Sequence, residues 1–153
     1  MFSTPRSLFR ALAIAEAITW TLLIAALVTR ALTGFAPLVT IAGGIHGFVF
    51  LSYGATAILL AVNQRWHPGT AVLAIASAIV PYATVPVELW LARTKRLDGQ
   101  WRLDATDDPR DAHWIDRTMQ WFLRHPVILV VLLVAAVAAL FTVLLILGPP
   151  GGK

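Results

Sequence analysis

No cysteine occurs anywhere in the 153 residues. Its absence excludes disulfides, thiolate metal sites and thiol chemistry, and leaves the cellular compartment open. Charge is also scarce: charged residues make up 13% of the chain, where a soluble domain carries about 25%. The shortage is uneven, because thirteen of the twenty charged residues fall between Arg93 and Arg124. A bilayer imposes such a pattern, since a charged side chain at mid-membrane costs roughly 3 kcal/mol or more. The chain also lacks a Ser/His/Asp set, a phosphate-binding loop and any metal-ligand cluster at convincing spacing. His67, His113 and His125 are dispersed among connecting segments. No enzyme, metal site or cofactor is expected on this basis. The net charge of +4 does not point to nucleic acid. The basic residues flank apolar stretches, and six Asp residues interrupt the densest basic run.

Four apolar segments are present, at about Leu8–Val28, Leu38–Val62, Thr70–Leu91 and Val127–Leu147. About 20 helical residues cross a hydrocarbon core, and helix is the default because a lone strand cannot satisfy its backbone in lipid. The expectation is an all-α polytopic membrane protein, a bundle of four transmembrane helices. The first segment carries Glu16, Thr19 and Trp20 near its centre and is read as a retained helix rather than a cleaved leader. The first two connections are tight, so the first three helices should be antiparallel neighbours. The third, Ala92–Pro126, is long. Within it Asp108 has the character of an N-cap and Pro109 of a first helical residue, with Asp111 in the first turn. Ala112, Ile115, Met119 and Phe122 recur at helical spacing, and Trp114 and Trp121 lie nearly stacked. The spacing predicts an amphipathic interfacial helix over Asp108–Leu123, anchored by Trp114 and Trp121. The chain therefore divides into a three-helix core (1–96), an amphipathic connection (97–126) and a fourth span with a short tail (127–153). The first and third connections hold eight of the twelve Lys and Arg residues, which places the third connection in the cytoplasm and both termini outside. Arg6 and Arg10 argue the other way.

Three ionisable residues fall inside the spans: Glu16, His46 and Glu88. Such residues are rare in hydrocarbon and are functional candidates by default, although each could simply make a neutral interhelical hydrogen bond. Glu16 and His46 lie at comparable depths from opposite ends, about 12 Å in, and lean apart. His46 and Glu88 are the better-matched pair and are expected to share one polar site. Ser77, Pro81, Thr84 and Glu88 share one face of the third helix, and Tyr53 lies two turns from His46. Pro81 and Pro86 should kink that helix. Gly43, Gly47 and Gly54 form a small-residue stripe, the usual mark of close helix packing. The fourth segment reads as a lipid-facing scaffold.

Leu8-Phe9-Arg10, Ala15-Glu16-Ala17 with Thr19-Trp20, the His46-Gly47 dipeptide, Tyr53, Arg65-Trp66, and Ser77, Pro81 and Glu88 together resemble a bacterial family. It is the YdzA-like domain of unknown function 3817, small integral membrane proteins characterised by a His-Gly dipeptide. The resemblance covers about residues 5–96. The family often has Glu-Arg at the end of its third helix, whereas Leu89 follows Glu88 here. The resemblance implies a multi-pass protein of the bacterial plasma membrane and no particular activity. Two functions compete. One is a non-enzymatic accessory or assembly subunit, embedded in the lipid bilayer within a homo-oligomer or larger membrane complex. The other is a small transporter or proton-coupled carrier using Glu16, His46 and Glu88. A haem protein would need a second intramembrane histidine beside His46.

Overall fold

The computed structural model describes residues 4–104, 108 and 113–147, and all regular structure among them is helical. The first helix, α1, spans Pro5–Thr33. Thr4 and Ser7 cap it reciprocally, each side-chain oxygen accepting the other's backbone N–H, and Pro5 opens the first turn. It ends at Gly34, whose φ of 76° lets its N–H reach the Arg30 carbonyl at 2.8 Å. After this turn α2 spans Pro37–Asn63 and runs back antiparallel. Both helices are long and apolar enough to cross a membrane.

The third apolar segment is not the single helix expected from its length. It forms α3 (Pro68–Ala76), a 3₁₀ turn (Ser77–Ile79) and α4 (Thr84–Arg93). Val80, which precedes Pro81, is extended at φ −99° and ψ 124°, as the proline ring requires of its neighbour. Tyr82 follows in the left-handed region at φ 65°. Together they turn the chain around instead of kinking a through-going helix. Pro86 does no harm to α4, because it sits in the first turn, where N–H groups have no intrahelical acceptor.

The direction of α4 follows from its contacts. Its first residue, Thr84, donates to the Ala13 carbonyl of α1 at 3.0 Å. Beyond its last residue, the Arg96 carbonyl accepts from the Trp66 indole at 2.8 Å, and the Arg96 guanidinium donates to Thr70 at 2.7 Å. Trp66 and Thr70 lie at the start of α3, so α3 and α4 are two arms of one helical hairpin. It enters from the Pro5 end of α1 and returns to that end. Its tip lies beside Trp20 and Thr21 of α1. Among the described residues two helices are long and apolar enough to be spans and a third candidate is the bent pair described next, fewer than the four expected.

The predicted interfacial helix is shorter than Asp108–Leu123. The helical stretch described there is α5, Trp114–Arg124, with His113 at the cap position. Pro109 to Ala112 lie outside the described residues. Asp108 is not helical; its carboxylate pairs with Arg65 just beyond α2. Trp114 and Trp121 point outward, while Met119 and Gln120 are buried. At His125 the chain turns by 104° into α6, Pro126–Leu147, which lies along α2. The well-packed core sits at the Pro5 end, where Phe9, Ala13, Tyr53, Ala57, Leu60, Ala74, Ala78, Leu91 and Leu97 form one buried cluster.

Candidate functional site

Four helical elements bring polar side chains together in the apolar interior. Each arrives by helical spacing: Glu16 and Thr19 lie one turn apart on α1, as do Ala13 and Glu16, so Glu16 continues the buried stripe begun by Phe9. Its side chain is fully buried, and neither carboxyl oxygen has a hydrogen bond among the described residues. Facing it is His46 of α2, whose Nδ1 lies 3.8 Å from Oε2. That separation is too long for a hydrogen bond and short enough for strong electrostatic coupling in a dry site. Thr19 bridges the two residues. Its Oγ1 is 3.0 Å from the Glu16 carbonyl and 3.1 Å from His46 Nδ1. The Trp20 ring lies 4.5 Å from the imidazole, centroid to centroid, and Phe50 6.2 Å from it.

The structure thus pairs His46 with Glu16 of α1, not through the Glu88 contact anticipated from depth. The lean of each side chain toward its own helix start does not keep them apart, because α1 and α2 pack directly. Glu88 is buried on α4, with Oε1 unpartnered. Tyr53 lies within electrostatic reach of both carboxyls. Its hydroxyl donates to the Ala74 carbonyl at 3.1 Å or bonds the Ser77 hydroxyl at 3.0 Å. Ser77 also donates to Ala74 at 2.7 Å. These bonds answer carbonyls at the end of α3, where the helix is interrupted. The Trp20 indole does the same for Ala78 at 3.3 Å, and Thr84 ties α4 to α1. Ser77 and Thr84 therefore hold the hairpin in place.

The glycine stripe does not act as a close-packing surface. A Cβ on Gly43 would meet only Leu23 at 3.9 Å, and on Gly47 or Gly54 nothing within 4 Å. Sequence reasoning also missed Arg102. Its guanidinium donates to the Val62 and Asn63 carbonyls at 2.6 Å each, filling the open C-terminus of α2, and pairs with Asp116 of α5 at 2.7 Å. No spacing signal marks a residue that reaches back 40 positions. Among the described residues no group of three or more His, Asp or Glu side chains could hold a metal ion.

Comparison with known proteins supplies the relationship. A protein of Streptomyces coelicolor, named only as a membrane protein, is 35% identical over 91 residues; the match covers 58% of this chain and 11% of the relative. The chain thus spans about a tenth of the length of that relative. No solved structure matches. A family model described as a domain of unknown function, DUF3817, matches residues 6–93, which hold α1, α2, the hairpin and every residue of the polar cluster. This chain is therefore a membrane protein that belongs to the DUF3817 family.

Proposed function

We propose that the protein is a non-enzymatic, multi-pass module of the bacterial plasma membrane that packs against a larger membrane partner. The observation that carries this reading is the length of the Streptomyces relative, in which the shared 91 residues are only 11% of the chain. A unit built into a much longer membrane protein in one bacterium suits a subunit of an assembly in another. The outer halves of α1 and α2 fit such a role. They extend past the hairpin tip and leave Ile18, Leu22, Ile41 and Ile45 exposed. The test is a photo-crosslinking residue at Ile41 in cells. A discrete protein adduct is expected, and lipid adducts alone would contradict the reading.

The orientation belongs to the same proposal. Every described Lys and Arg except Arg30 belongs to the Pro5 end of the bundle. By the positive-inside rule that end faces the cytoplasm, with α3–α4 as a re-entrant hairpin and α6 as the third span. A non-spanning hairpin is tolerated at membrane depth only when its backbone is satisfied by protein, and the Trp20, Tyr53 and Ser77 bonds supply this. On this topology α5 lies at the cytoplasmic interface with Trp114 and Trp121 toward the headgroups. A proton-coupled carrier is the second reading, favoured by the burial of Glu16 without a hydrogen bond. Its test is proton flux into liposomes holding the purified protein, which Glu16→Gln should abolish.

A further inference from the structure

We infer that Glu16 and His46 form a proton-binding pair in which Thr19 acts as a two-position switch. The Thr19 hydroxyl has one hydrogen, and two of the acceptors in its reach are the Glu16 carbonyl at 3.0 Å and His46 Nδ1 at 3.1 Å. If the hydroxyl donates to Nδ1, that nitrogen carries a lone pair and the ring is neutral with its hydrogen on Nε2. If the hydroxyl donates to the Glu16 carbonyl, Oγ1 is free to accept and Nδ1 must carry a hydrogen. Either arrangement is complete, so the site accommodates both forms of the ring without moving a backbone atom.

The carboxyl supplies the counterpart. Glu16 is fully buried, and neither of its oxygens has a hydrogen-bonding partner among the described residues. A protonated carboxyl is neutral and tolerable there. An ionised one requires a positive partner, and the group in reach is His46, 3.8 Å away. Proton transfer therefore breaks the O–H bond of Glu16, forms an N–H bond at Nδ1 and leaves a carboxylate beside an imidazolium. No electrons move and no co-reactant is consumed. The Thr19 hydroxyl turns from the ring to the Glu16 carbonyl in the same step. Of the other buried titratable groups, Tyr53 of α2 lies within reach of Glu16, and Glu88 of α4 lies within reach of Tyr53. Both belong to the same cluster, and Tyr53 lies within electrostatic reach of both carboxyls. Trp20 and Phe50 lie beside the imidazole, with ring centroids 4.5 Å and 6.2 Å away. This pair can bind and exchange a proton whether or not the protein carries protons across the membrane, so failure of liposome flux would leave it standing.

The test uses the full chain in lipid nanodiscs. The His46 ring nitrogens are followed by ¹⁵N NMR and the Glu16 carboxyl by infrared difference spectroscopy, with His46→Asn and Glu16→Gln identifying the signals. In the wild type both signals should change together in every step seen as pH is varied, because groups this close titrate as a pair. Glu16→Gln should displace the His46 step by about tenfold or more in proton concentration. Thr19→Val should displace the shared step, and Thr19→Ser should restore it. The wild-type measurement needs no variant to fold. Two independent steps, or a His46 signal that never changes over the range in which the protein stays folded, would overturn the inference. An unmoved His46 step in Glu16→Gln would overturn it equally.

Discussion

Tyr53 is where α2 meets the interrupted end of α3, and its hydroxyl shows what an individual contact contributes. Tyr53→Phe removes the bonds to Ala74 and Ser77. It strands nothing, because Ser77 still donates to the same carbonyl. The expected cost is about 1 kcal/mol, in the range of interhelical bonds in membranes, read as a lower unfolding midpoint in detergent. The glycines of α2 make an opposite case. Gly47 and Gly54 face open space, so Gly47→Ala and Gly54→Ala should be neutral or stabilise by up to about 1 kcal/mol through better helix propensity. A loss of several kcal/mol at either position would mean that another helix packs there. The sequence pointed to Glu16 and His46 as costly residues needing an answer, and both are buried. It could not pair them, because depth along separate helices does not reveal which helix faces which. Thr19 was visible only as a neighbour of Glu16, and its bridging geometry depends on where α2 lies.

Helix starts and stops were legible where chemistry is local. Thr4-Pro5, Gly34, and Pro126 mark boundaries through capping and the fixed φ of proline. The Pro81 region was read as a kink, and the break there is complete. A proline removes one hydrogen bond, but whether the chain bends or reverses depends on what satisfies the freed carbonyls. Here the Trp20 indole donates to the Ala78 carbonyl, and the Tyr53 and Ser77 hydroxyls answer that of Ala74. The turn that Asp108 was expected to cap lies outside the described residues, and the contact described for its carboxylate is with Arg65. Arg102 governs the position of α5. Arg102→Leu would leave the Val62 and Asn63 carbonyls without their guanidinium donor and release Asp116. The expected loss is about 1–3 kcal/mol, with faster proteolysis near Trp114 as the local readout. An unchanged cleavage rate would show that α5 is held by other contacts.

At the scale of the whole molecule, hydropathy counted apolar residues correctly but could not report their direction. Twenty-six residues from Pro68 to Arg93 are long enough for one crossing, and the structure folds them into two short arms. The charge distribution already carried a warning, because Arg6 and Arg10 conflicted with the third connection when four spans were assumed. With a hairpin, the N-terminus, the second connection and the third connection share one side, and the conflict disappears. The hairpin also explains why Thr84 reaches Ala13 and why the polar cluster forms at the closed end of a protein-lined fold. Single-cysteine labelling with a membrane-impermeant maleimide tests this arrangement directly, since the native chain has no cysteine. His67→Cys and Asp98→Cys flank the hairpin, and Phe35→Cys marks the opposite end of α1 and α2. The account predicts that Phe35→Cys reacts in intact cells, whereas His67→Cys and Asp98→Cys both react only after the membrane is opened. Labelling of His67→Cys and Asp98→Cys from opposite sides would contradict it.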